Sequence, residues 1–115
     1  MSKSEFSDYL CEQLIPIGPV SAKRMFGGYG LFLDDLMFGL IAGDVLFLKT
    51  DHQTQPDYDA QGLPPFSYTK KDQKVSLSYY QVPEDAMDDA RLLCEWANNA
   101  YGAALRSANN KKKKK

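Results

Sequence analysis

At 115 residues, 43% of them hydrophobic and 25% charged, the chain has the composition of one globular domain and too little length for two. No apolar run approaches the roughly 18 residues of a membrane span, and the polar start Met1 to Glu5 leads into no apolar signal segment, so a cytoplasmic protein with no membrane partner is expected. The formal charge of −1 hides an asymmetry: five of the 14 basic residues form the run Lys111 to Lys115, and the nine that remain face 15 acidic ones, a body near −6 that repels a phosphate backbone.

In chain order, Phe6, Leu10 and Leu14 recur at four-residue spacing after Ser4 and before Pro16 and Gly18, which predicts an amphipathic helix over 5–15. Ile17 to Val20 reads as a linker rich in turn formers. From Arg24 to Lys49 the residues are β-branched, aromatic and aliphatic, with turn signals at Asp34-Asp35 and Gly43-Asp44, predicting strands near 24–33, 36–42 and 45–50. These runs are apolar on both faces, as in a sheet covered by helices on one side and partly covered on the other. The polar stretch 51–65 reads as a short helix, with Asp51 as its cap, ending near Gly62.

Residues 66–69 and 75–82 then form a predicted hairpin about the polar turn 70–73. Pro83, Glu84 and Asp85 mark a helix start. Met87, Ala90, Cys94, Ala97, Tyr101 and Ala104 repeat at helical spacing, so one face of a long helix is buried to about residue 106. The order helix, three strands, short helix, two strands, long helix defines an α+β domain over 1–107, a two-layer fold with helices packed on a five-stranded, largely antiparallel sheet. Residues 108–115 read as a disordered basic tail. Direct DNA binding is disfavoured except weakly through Lys111 to Lys115.

Three glycines in four positions, Gly27, Gly28 and Gly30, are costly in a strand and demand a reason. One is a loop presenting amides to an anion; the other is a bulge or bend where another backbone or ring approaches closely. Phosphate loops lead into a helix and this segment leads into a strand, which favours the second. Arg24 beside it either pairs with a carboxylate or faces a partner. Cys11 and Cys94 are far apart and read as free, core-packed thiols. His52 is the only histidine and sits in a polar stretch, so no metal site and no cofactor are expected, and no nucleophile motif marks a catalytic residue. Tyr29, Phe32, Phe38, Phe47, Phe66, Tyr68, Tyr79 and Tyr80 fall on the predicted strands, as core filling or as a protein interface.

The string VSAKRMFGGYGLFLDDLMFGLIAGDVLFLKTD, residues 20–51, resembles the hallmark of TfoX N-terminal domains: an arginine, Met-Phe-Gly-Gly, a further glycine, a short hairpin, Phe-Gly, and a strand ending in Leu-Lys. Phe66, Tyr68, Tyr79, Tyr80, Pro83 and the helix with Trp96, Ala97 and Ala104 fit the same family, over about 4–107 in all. The resemblance implies a two-layer fold similar to secretion-chaperone-like domains. It also implies a link to competence regulators thought to act as coactivators with the cyclic-AMP receptor protein. Full-length regulators carry a second, helical domain, and this chain stops after the first.

The expectation is a non-enzymatic, protein-binding coregulator whose partner is a transcription factor or polymerase component, met through Arg24, Phe26, Gly27, Gly28, Tyr29, Gly30 and Lys49. A small-molecule pocket framed by the glycine segment is the alternative. An exposed edge strand would permit a homodimer.

Overall fold

The computed structural model of the protein describes residues 4–25 and 28–113. Helix α1 (Ser4–Gln13) and a 3-10 turn (Ile15–Ile17) lead into six strands, β1 (Ser21–Met25), β2 (Gly28–Leu33), β3 (Leu36–Ala42), β4 (Val45–Lys49), β5 (Pro65–Lys70) and β6 (Gln73–Gln81). Helix α2 (Gln55–Asp59) joins β4 to β5, and α3 (Glu84–Met87) and α4 (Ala90–Lys113) close the chain. All described pairings are antiparallel, in the order β1-β2-β3-β4-β6-β5.

Six strands replace the expected five because the run 24–33 is two strands. Met25 pairs with Gly28 and Ser21 with Phe32, so β1 and β2 are antiparallel neighbours. Three hairpins turn where the polar dipeptides stand. Asp34 and Asp35 (φ 53 and 67), Gly43 and Asp44 (φ 58 and 61), and Lys71 and Asp72 (φ 51 and 67) all have positive φ, the pairing of signs that a two-residue primed turn requires.

The long helix expected from Pro83 is broken. Asp89 is the cause: its Oδ1 accepts from the backbone N–H groups of Arg91 (3.0 Å) and Leu92 (3.3 Å), capping α4 and separating it from the single turn of α3. Replacing Asp89 with alanine leaves those donors without the cap and should lower the urea-unfolding free energy by about 1 kcal/mol; an unchanged midpoint would show that the cap carries no stability. At its other end α4 runs beyond residue 106 to Lys113, so the segment read as a disordered tail is helical as far as it is described.

The four described α-helices lie on one side of the sheet, α4 over β3 and β4, α1 beside β1, α2 against β6 and α3 against α4. Between the layers sit Leu10 of α1 and Leu14 just after it, Leu31 and Leu33 of β2, Phe38 and Ile41 of β3, Leu46 and Leu48 of β4, Tyr58 of α2 and Leu93, Ala97, Ala100 and Ala104 of α4. The small alanines bring α4 close to the strands. Trp96, Tyr58 and Tyr80 stack in sequence at one end, with centroids 4.8 and 5.7 Å apart.

Candidate interaction site

Side chains alternate across a strand, so the register assigns a face to each residue. The helix-covered face takes Tyr29, Leu31 and Leu33 from β2 and Leu46 and Leu48 from β4. The opposite face takes Lys23 and Met25 from β1, Gly28, Gly30 and Phe32 from β2, Val45, Phe47 and Lys49 from β4, and Tyr79 and Gln81 from β6. In β3 the alternation breaks. Leu31 pairs with Gly39 but Phe32 with Met37, so Phe38 is an extra residue and the pair forms a β-bulge. The bulge turns both Phe38 and Gly39 toward the helices, where Phe38 meets Tyr101 edge-on at 6.3 Å, and leaves Met37 and Leu40, three residues apart, together on the other face.

That second face carries no helix among the described elements. Its apolar side chains cover one another instead. A Cβ on Gly30 would stand 3.0 Å from Met25 Sδ, 3.0 Å from Phe32 and 3.1 Å from Met37 Sδ, so those three side chains meet above the glycine. Leu40 beneath them is buried, while Met25, Phe32, Met37, Phe47, Phe66 and Tyr79 are half-buried. Phe47 and Phe66 meet edge-on at 5.2 Å, and the Tyr79 hydroxyl donates to the Met37 carbonyl oxygen at 3.4 Å. Burial pushes the Tyr79 hydroxyl up to about 12, so it stays a neutral donor.

Two lysines border this surface. Lys23 Nζ lies 4.9 Å from the Phe32 ring centroid, and Lys49 Nζ lies 5.4 Å from that of Tyr79 while donating to Ser78 Oγ at 3.2 Å.

The expected site residues divide between the two faces. Arg24 and Tyr29 are register partners on the helix side of the β1–β2 edge, Arg24 exposed and Tyr29 packed against the core. Lys49 sits three strands away on the opposite face. Gly28 and Gly30 also belong to that face, with roles in packing: a Cβ on Gly28 would overlap the Ile41 carbonyl oxygen. Phe26 and Gly27 lie outside the described residues. Lys23, Phe32, Met37, Phe47, Phe66 and Tyr79 extend the surface beyond the residues singled out in the sequence. Strand alternation could have found Lys23, Phe32 and Phe47; Met37 could not be placed without the bulge.

Lys49 also borders a polar cleft of about 580 Å³ with Thr50, Asp51, His52, Gln53, Ser78 and Arg106. The cleft is half open to solvent and His52 is exposed at its rim. Its centre is a forked ion pair, Arg106 Nε to Asp51 Oδ2 at 2.6 Å and Nη2 to Oδ1 at 3.2 Å, and Oδ1 also accepts from the Gln53 and Thr54 amides. The Arg106 hydrogen bond holds the Asp51 carboxyl down at about 2, helped by those amides. A carboxylate with a lowered folded-state pKa adds stability that is complete above its ordinary value near 3.8 and disappears as the pH falls toward 2. Arg106 is 37% exposed, so solvent screening limits the pair to about 1 kcal/mol. Arg106→Gln should therefore lower stability by about that amount at pH 7 and flatten its dependence between pH 4 and 2. An equally steep acid limb in the variant would assign the acid sensitivity elsewhere.

Cys11 and Cys94 are free, half-buried thiols whose pKa values burial raises, with Asp8 adding to the effect at Cys11. Cys94 Sγ donates to the Gln13 carbonyl at 3.3 Å, tying α4 to α1. No cluster of metal-ligating side chains occurs among the described residues, and no described helix is long and apolar enough to cross a membrane.

A one-sided helix layer on an antiparallel sheet, with an aromatic and methionine-rich second face, defines a two-layer α+β domain. The chain belongs to the TfoX N-terminal domain family, which it matches over residues 12–104. It is 26% identical over 108 residues to the DNA transformation protein TfoX1 of Aliivibrio fischeri, covering 82% of this chain and 52% of that one. To Protein Sxy of Escherichia coli it is 28% identical over 96 residues, 83% of this chain and 46% of that one. To the DNA transformation protein TfoX of Haemophilus influenzae it is 30% identical over 94 residues, 80% and 43% of the two chains. The chain thus spans about half the length of the curated relatives it matches.

Proposed function

We propose that this domain is a non-enzymatic, competence-related regulatory module of the cytoplasm that acts by binding another protein through the helix-free face of its sheet. The carrying observation is the row Phe32, Met37, Phe47, Phe66 and Tyr79, half-buried with no described element laid over it. Water against such a row is displaced favourably by a partner's apolar groups, at about 25 cal/mol for each Å² covered. The relatives named as DNA transformation proteins support the competence setting. A transcription factor or polymerase component is the partner that follows from that setting. The alternative of a small-molecule pocket has the Lys49 cleft in its favour, but that cleft is polar and half open, and Arg24 lies on another part of the surface.

The test is calorimetric titration of the domain into purified cyclic-AMP receptor protein and into RNA polymerase. Phe47→Glu on the open face is compared with Glu95→Lys on the exposed surface of α4. Binding by the parent and the Glu95 variant, weakened tenfold or more in a folded Phe47 variant, is the expected result. Equal binding by all three would remove the open face from the function.

A further inference from the structure

The chemistry of the open face narrows what can lie on it. The body of the protein is acidic, yet the strand residues described on this face include Lys23 and Lys49 and no carboxylate. The two lysines stand on opposite borders. Lys23, Gly30, Leu40 and Phe47 form one row across β1 to β4, and Lys49 is two residues further along β4. Three strand spacings put the borders about 14 Å apart, with an offset of about 7 Å along the strands. A helix, about 10–12 Å across with its side chains, fits between them when it lies along β2 and β3.

The floor of that channel is Met25, Met37, Phe32 and Leu40, over Gly28, Gly30 and Ala42, which add no bulk of their own. Unbranched methionines repack around a bound apolar side chain at little cost, which suits them to receiving a helix. Lys23 Nζ stands over the Phe32 ring on one side of the channel, and Lys49 Nζ over the Tyr79 ring beyond its other side.

Resting on the docking reading above, we infer that this face receives an amphipathic helix of a partner protein whose apolar stripe is flanked on both sides by carboxylates, one set meeting Lys23 and the other Lys49. The 7 Å offset places the two carboxylates about four to five residues apart on opposite flanks, at 1.5 Å per residue. A second copy of this chain laid face to face would instead bring four lysines into one interface, a like-charge cost that works against it.

The probe is a synthetic 18-residue helix with a Leu/Phe stripe and glutamates on both flanks, compared with the same peptide carrying lysines at those positions. Binding is followed by fluorescence anisotropy and by chemical-shift mapping on the full chain. The glutamate peptide should bind at least tenfold more tightly than the lysine peptide, with shifts at Phe32, Met37 and Phe47. Lys23→Glu with Lys49→Glu should reverse the preference, and the milder Lys23→Gln with Lys49→Gln should abolish it. A preference that survives the reversal overturns the inference. Equal binding of both peptides at this face overturns the acidic-helix partner and leaves the docking reading standing. Absence of shifts with either peptide overturns it too, as would concentration-dependent self-association through this face in sedimentation.

Discussion

Gly28→Val should cost the domain at least about 3 kcal/mol and leave it unfolded or molten at physiological temperature, measured as lost near-ultraviolet ellipticity and a collapsed urea midpoint. A β-carbon at this position points into the Ile41 carbonyl oxygen, and that oxygen belongs to the backbone of β3 alongside β2. A side chain in the way could rotate; a ladder carbonyl can withdraw only by parting the strands. Gly43→Ala is the control. Its φ of +58° strains any side chain, but nothing stands within 4 Å of the new carbon, so the expected cost is about 1 kcal/mol. The comparison also bears on function. A folded Gly28 variant of parental stability would return the glycine segment to the list of ligand-binding features, since its packing role would be gone.

Phe38→Ala is the second large effect, at about 3–5 kcal/mol by loss of burial and creation of a cavity. Phe38 is fully buried, and its edge-on contact with Tyr101 is one of the bonds between β3 and α4. Tyr101 is itself held by its hydroxyl, which donates to Asp34 Oδ2 at 3.0 Å. Phe47→Ala removes the same atoms from the half-buried face and should cost no more than half as much. Equal losses in the two variants would mean that the second face is covered in solution as fully as the first. Unfolding free energies from urea melts decide between these outcomes.

The apolar row is only half-buried within the domain, so its side chains contribute less to folding than their size allows. Lys23 and Lys49 reduce the aggregation hazard of such a face by bordering it with charge, and the basic edge strand β1 discourages pairing with its own copy.

Much of the fold is legible from residue order. Four-residue spacing marks α1, the polar dipeptides mark the turns, and the Met-Phe-Gly-Gly string with its following hairpin is specific enough to identify the family. These features are local, because caps, primed turns and periodicity depend on neighbours within a few residues. The break before α4 is a local cap at Asp89 that interrupts an otherwise continuous helical periodicity, whereas the division of 24–33 into β1 and β2 and the bulge at Phe38 depend on which backbone lies alongside. So does the composition of the open face. Arg24 and Lys49, both basic and both near glycine-containing strands, look alike in the sequence; the register puts them on opposite sides of the sheet. A one-residue bulge decides which of Met37 and Phe38 faces the helices, since side-chain direction has a period of two and any extra residue reverses it.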